Sequence, residues 1–122
     1  MSKILVAEDS ATELQLIKDI LKETSHEVIT AGDGEEAEAR VRNEAVDMVI
    51  LDVIMPKKNG FQVCRDLRMD QRFKDLPIIM VTSKDQESDK AWGLKQGATE
   101  YLTKPFTPID LLIAVKKHLK KK

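Results

Sequence analysis

MVILD, residues 48–52, is a run of four apolar side chains that ends on an acid. So short a run, with β-branched residues and no polar alternation, suits a strand covered on both faces, as inside a parallel sheet. Comparable runs flank it at Ile4–Ala7, Val28–Ala31 and Ile78–Val81, with a weaker one at Thr99–Leu102. The segments between them carry helix-start chemistry. Ser10-Ala-Thr-Glu13 has the spacing of a capping box and leads to Leu14, Ile17 and Leu21 on one face. Asp33-Gly-Glu-Glu36 precedes Ala37 and Val41 in the same way, and Asn59-Gly60 opens a segment with Val63, Cys64 and Leu67. Ser83-Lys-Asp-Gln86 opens one with Ala91 and Leu94 that stops near Gly97. Thr107-Pro108-Ile109-Asp110 combines a cap, a proline in the first turn and an early acid ahead of Leu112, Val115 and Leu119. Five strand–helix units in succession predict an α/β fold, a doubly wound five-stranded parallel sheet with helices on both faces. Right-handed crossovers then bring every strand C-terminus to one edge.

The 122 residues have the length of one domain, and 1–122 is read as a single unit. With 42% hydrophobic and 34% charged residues, a core forms beneath a heavily solvated surface, which excludes collagen-like and disordered classes. The 20 basic and 21 acidic side chains leave a net charge of −1, so no overall attraction to nucleic acid or anionic lipid is expected. No apolar stretch approaches the roughly 20 residues that span a bilayer, and the opening Met-Ser-Lys-Ile-Leu-Val-Ala lacks the layout of a signal peptide. A lone cysteine, Cys64, excludes an internal disulfide and suits a reducing, cytoplasmic location. The first half of the chain is acidic and the second basic. The closing Lys116-Lys117-His118-Leu119-Lys120-Lys121-Lys122 reads as a helix C-terminus whose cations suit the macrodipole, since no aromatic residues interleave for base stacking.

In open α/β sheets, ligands bind beyond the carboxyl ends of the strands. The residues there are Glu8 and Asp9 after the first run, Asp52 after the third, Thr82 and Ser83 after the fourth, and Lys104 and Pro105 after the fifth. Taken singly, most have ordinary explanations: Asp9 or Ser10 as a cap, Thr82 as a turn residue, Lys104 as a solvated side chain. Asp52 resists one, because it follows the most apolar run, where a carboxylate needs a compensating partner. Three carboxylates on one edge raise each other's pKa unless a cation joins them, and a hard divalent ion such as Mg²⁺, held by carboxylates, phosphate and water, fits that need. Asp52 then has the surroundings of a nucleophile towards a phosphoryl donor. The ion and Lys104 neutralise phosphoryl oxygens, Thr82 offers a hydrogen bond, and no general base is required. The product is an acyl phosphate on Asp52.

Competing phosphate chemistries fit poorly. No Gly-rich P-loop is present, and Gly32-Asp-Gly34 lacks the third glycine of a dinucleotide fingerprint. Glu8 and Asp9 would repel the phosphate of a flavodoxin-like cofactor. An aspartyl-nucleophile phosphatase commonly has a second carboxylate two residues on, where this chain has Ile54, so turnover of external substrates is disfavoured.

These residues resemble the receiver domain of two-component response regulators. The resemblance runs from Ile4 to the last helix and rests on VAEDS at 6–10, VILDVIMPKKNGF at 49–61, MVTSK at 80–84 and YLTKPF at 101–106. It implies a flavodoxin-like sheet of order 2-1-3-4-5 with five helices. It also implies that Asp52 is the phospho-acceptor, that Asp9, Asp52 and the carbonyl of Ile54 bind Mg²⁺ directly, and that Glu8 acts through water. Thr82 resembles the switch hydroxyl, Tyr101 the switch aromatic and Lys104 the phosphate-binding lysine, with a cis peptide at Lys104–Pro105. Residues 84–106 are similar to single-domain regulators of type IV pilus twitching motility and related chemotaxis-like systems. Ile54 and Lys84 are expected to tune acyl-phosphate lifetime.

Phosphorylation is expected to draw Thr82 towards the phosphoryl group and let Tyr101 rotate, biasing a surface where Trp92, Lys95 and Gln96 are candidate partner contacts. A histidine kinase upstream and a motor, pilus or kinase component downstream are the implied partners. The chain is expected to be a monomer without nucleic-acid contact, membrane insertion or an output domain. A phosphate sink or relay intermediate is the alternative, and a small Mg²⁺-dependent phosphohydrolase a more distant one. His26 and His118, away from the strand ends, are expected to be surface residues with no relay or metal role.

Overall fold

The apolar runs form β1 (Lys3–Ala7), β2 (Glu27–Ala31), β3 (Met48–Leu51), β4 (Ile78–Thr82) and β5 (Glu100–Thr103), all parallel and in the order β2-β1-β3-β4-β5. The helices between and after them are α1 (Ala11–Leu21), α2 (Gly34–Asn43), α3 (Gly60–Arg68), α4 (Glu87–Lys95) and α5 (Pro108–His118), with one 3₁₀ turn at Gln71–Phe73. This computed structural model describes residues 2–119; Lys120, Lys121 and Lys122 of the closing basic run lie outside them. Fold class, strand order and helix number match the expectation. Among the described residues, no helix is long and apolar enough to cross a membrane.

A two-residue alternation lies hidden within the near-continuous runs. Ile4, Val6, Met48, Ile50, Ile79 and Val81 face a core shared with Ile17 and Leu21 of α1 and Leu111 and Val115 of α5. Leu5, Ala7, Val49, Leu51, Ile78 and Met80 face the opposite core, with Ala37 and Val41 of α2 and Val63, Cys64 and Leu67 of α3. Successive strand side chains point to opposite faces, so a strand covered by helices on both sides must be apolar at every position. The central strand, β3, is buried throughout, whereas β2 and β5, at the sheet edges, are half-covered.

Helix starts follow the cap chemistry. Ser10 Oγ accepts from the Glu13 N–H at 3.3 Å, Asp33 Oδ1 from the Glu36 N–H at 2.8 Å and Asn59 Oδ1 from the Gln62 N–H at 2.9 Å. Thr107 and Asp110 complete a reciprocal capping box ahead of α5. One start and one face differ from the sequence reading. Helix α4 begins at Glu87, not near Ser83, with the Asp89 carboxylate accepting from the Gln86 N–H at 3.2 Å. Ala91 and Leu94 point outward, and the buried residue of α4 is Gly93, whose bare Cα lets the Tyr101 ring and Met80 Sδ approach. Close packing here rests on a missing side chain, which an apolar-periodicity argument cannot register.

Gly34, at the start of α2, abuts the carbonyl of Lys58: a Cβ would lie 1.8 Å from that oxygen. Gly32 has only the Glu36 carboxylate nearby, at 3.8 Å. Gly34→Ala is therefore expected to lose about 1–3 kcal/mol by overpacking, and Gly32→Ala to stay within about 0.5 kcal/mol of wild type, as read from urea unfolding midpoints.

Candidate functional site

Where the alternation carries past the strand ends, Glu8 and Asp52 continue the series of Val6 and Ile50, towards α1 and α5. There they meet Glu13 of α1 and Lys104, which follows β5. Lys104 Nζ donates to Glu8 Oε1 at 2.8 Å, to Asp52 Oδ2 at 3.1 Å and to a carboxylate oxygen of Glu13. An ammonium has three N–H donors, and all three are used. The remaining carboxylate oxygens have backbone partners: Glu8 Oε2 accepts from the Ser10 N–H at 3.1 Å, and Asp52 Oδ1 from the Ile54 N–H at 3.2 Å. Glu8 and Asp52 are 2% and 5% exposed. Among the described residues no buried side-chain polar atom lacks a partner.

Burial is the main cause that pushes the Glu8 carboxyl up to about 7; the Lys104 and Ser10 hydrogen bonds oppose it, and Asp52 adds to it. Burial disfavours the Lys104 charge, but its hydrogen bonds to Glu13, Glu8 and Asp52 outweigh this and hold its pKa above the usual lysine value. Carboxylate oxygens of Glu8, Glu13 and Asp52 lie within 4.8 Å of one another, so these three residues could hold a metal ion. An all-oxygen donor set of this kind fits a hard divalent cation.

The four strand-end residues Glu8, Asp52, Thr82 and Lys104 all lie at this edge, but the acidic trio differs from the expected one. Asp9, the next residue after Glu8, is exposed and is not one of these three. Glu13 is the third carboxylate of the cluster. Its position in a capping-box pattern concealed it: Ser10 makes its half of the box, while the Glu13 carboxylate turns to Lys104. Ile54 is exposed at the rim and contributes its N–H to Asp52.

Thr82 is fully buried; its Oγ1 accepts from the Lys84 N–H at 3.3 Å and its carbonyl from the Lys104 N–H at 2.8 Å. The Tyr101 hydroxyl donates to the Lys84 carbonyl at 2.8 Å, with its ring against Gly93. Burial first, then Asp89, Asp52 and Asp85, push this phenol up to about 12, so it remains a donor at neutral pH. Lys104–Pro105 is cis. Trp92 and Lys95 are exposed on α4, whereas Gln96 is half-buried, its carbonyl accepting from Cys64 Sγ at 3.4 Å. The histidines are less open than expected. His26 Nδ1 accepts from the Ser2 N–H at 3.2 Å, and half-buried His118 has Nε2 2.6 Å from Glu100 Oε1. An open groove of about 340 Å³, lined by Glu13, Leu16, Ile17, Ser83, Lys104 and Phe106 among others, adjoins the cluster.

Sheet order, acidic edge and cis peptide together match the receiver architecture that the motifs imply. The chain belongs to the response regulator receiver domain family, which matches residues 4–116. It is 44% identical over 112 residues to protein PilH of Pseudomonas aeruginosa, covering 92% of this chain and 93% of PilH. It is 42% identical over 119 residues to the alkaline phosphatase synthesis transcriptional regulatory protein PhoP of Bacillus subtilis, covering 98% of this chain but 49% of PhoP. Chemotaxis protein CheY4 of Vibrio cholerae superposes with a TM-score of 0.90 at 37% identity, covering 98% of this chain and 99% of CheY4.

The raised pKa of Glu8 has a stability consequence in divalent-free buffer. The unfolded chain releases this proton near 4.5 and the folded chain near 7, so between those values the unfolded state binds fewer protons and stability falls as pH rises. Across that window Glu8→Gln is expected to gain on wild type, by at most about 1.4 kcal/mol per pH unit, measured by urea unfolding at a series of pH values.

Proposed function

We propose that this receiver accepts a phosphoryl group on Asp52 from the phosphohistidine of a histidine kinase and thereby changes the surface it offers to a partner protein. The observation that carries this reading is the placement of Asp52: a nearly buried carboxylate at the end of the central strand, with one oxygen on Lys104 and the other on the Ile54 N–H. An Asp52 carboxylate oxygen attacks phosphorus, the P–N bond to the donor imidazole breaks, and an acyl phosphate remains. Lys104 compensates charge on the phosphoryl oxygens, and the adjoining groove gives the donor an approach between α1 and the β5–α5 connection.

Mg²⁺ suits the acidic cluster. Glu8, Asp52 and Glu13 are the side chains that would hold it, with Asp9 and the Ile54 carbonyl as the ligands implied by the family resemblance. Its chemistry is to neutralise the phosphoryl charge that the carboxylates otherwise repel. The proposed output surface includes Trp92, Lys95 and Gln96, with Tyr101 and Thr82 linking it to the site. We further propose that the domain acts in chemotaxis-like or pilus signalling. Nearly full-length coverage of PilH and CheY4 supports that reading. Ile54, at the position where an aspartyl-nucleophile phosphatase commonly has an acid, supports the reading as a signalling protein that turns over no external substrate.

Acetyl phosphate with Mg²⁺ is expected to give a base-labile adduct at one per chain, detected by intact-mass measurement. Asp52→Asn is expected to give none while keeping its circular dichroism spectrum. Lys104→Ala is expected to label at least about a hundredfold more slowly, as for removal of one oxyanion-stabilising donor. Repeated turnover of a phosphomonoester, or undiminished labelling in chelator, contradicts the assignment.

A further inference from the structure

Lys58 has no part in the chemistry above, yet it is firmly tied. Its Nζ donates to Glu38 Oε1 of α2 at 2.7 Å and to Asp66 Oδ2 of α3 at 2.8 Å. The three side chains are sheltered, so their attraction is less screened than that of fully solvated charges. Both acceptors are held in turn: Glu38 Oε2 accepts from Arg42 Nη2 at 2.8 Å, and Asp66 Oδ1 from Gln62 Nε2 at 2.9 Å.

The backbone beside Lys58 is strained. Lys57 sits at φ 71, a region that residues with a Cβ rarely occupy. The Lys58 N–H donates back to the Pro56 carbonyl at 2.8 Å, closing a γ-turn of the rare left-handed kind. Such a turn persists only where its surroundings over-determine it. The Gly34 N–H reaches the Pro56 carbonyl at 3.4 Å and Lys57 Nζ lies 3.8 Å from Asp33 Oδ2, both long contacts. The two short ion pairs of Lys58 are the strong tie. This strained segment is continuous with the acceptor: the Ile54 N–H donates to Asp52 Oδ1, and the Gly60 N–H to the Val53 carbonyl at 2.8 Å.

We propose that Lys58 is a positioning residue: by bridging Glu38 and Asp66 it holds the strained turn between β3 and α3, and so fixes the Ile54 peptide against Asp52 in the arrangement that takes a divalent cation. This inference rests on the reading of Asp52 and its acidic neighbours as the divalent-cation and phosphoryl site.

The test uses the full chain and three variants. Lys58→Met keeps the stem and removes the charge, Lys58→Arg keeps the charge, and the double variant Glu38→Gln/Asp66→Asn removes both acceptor charges. Amide hydrogen exchange of residues 54–60 is read by NMR in Mg²⁺-free buffer, and uptake of Mg²⁺ alone by calorimetry. In Lys58→Met and in the double variant, the Ile54 and Gly60 amides are expected to exchange about tenfold faster while β1 and β3 amides are unchanged. Mg²⁺ affinity is expected to fall about tenfold, as for loss of a group that orients a ligand, and Lys58→Arg to restore both quantities. Should Lys58→Met fail to fold, the double variant carries the same comparison. Unchanged exchange at Ile54 and Gly60, or a loosened turn with unaltered Mg²⁺ affinity, overturns the proposal. Failure of the underlying site reading has a separate signature: the wild-type chain itself takes up no Mg²⁺, which overturns both, whereas failure of the clamp alone leaves wild-type uptake intact.

Discussion

One ammonium shared among three carboxylates governs the C-terminal edge of the sheet. Lys104 gives one donor each to Glu8, Glu13 and Asp52, and with all three acids ionised the group retains two surplus negative charges. Buried charge that is not balanced is expensive, and the carboxyl of Glu8, raised to about 7, shows where the strain is relieved: by a proton. A divalent cation would relieve it in the same way. An edge that is held together and yet still short of positive charge is a physical basis for the role proposed for Asp52, because its electrostatics favour the arrival of a metal and the ammonium already stands at one carboxylate oxygen.

The sheet makes this arrangement tolerable. Met48, Val49, Ile50 and Leu51 are wholly buried, and each such side chain contributes roughly 1.5–3 kcal/mol on leaving water. That exceeds the several kcal/mol lost in desolvating a paired aspartate at the strand end. Parallel pairing of β1 with β3, which sets Ala7 beside Leu51, also sets Glu8 beside Asp52. The acids meet because their strands are neighbours in register.

The far side of the site is held differently. Helix α4 buries only Gly93 among its residues, and carries Trp92 and Leu94 at 47% and 51% exposure. Arg68 of α3 steadies the turn after it, donating to the Gly97 carbonyl at 2.9 Å and to the Phe73 carbonyl at 2.7 Å. The Tyr101 hydroxyl reaches the Lys84 carbonyl across the loop that leads into α4. A helix with so little buried side chain belongs to the low-stability end of the structure, where modest changes of contact shift populations. That property supports the proposed role of this face in output.

Much of this was legible in the chain. Short apolar runs, cap residues and Gly97 reveal strands, helices and their order of appearance, because each is a local preference. Asp52 is legible because a carboxylate after the most apolar run needs a compensating partner, and Thr82 and Lys104 gain meaning from sharing its edge of the sheet. The starting point and buried face of α4 were not legible, since one packs through a missing side chain and the other depends on the length of a loop. Nor were the partners of His26, His118 and Lys58, which lie far away along the chain. The sequence by itself determined that acids and a lysine gather at one edge of a five-stranded sheet. Only the tertiary structure decided that Glu13 rather than Asp9 joins Glu8 and Asp52 around Lys104. The reason is geometric: packing of α1 against the sheet brings Glu13 over the ammonium, a distance that is not written in local spacing.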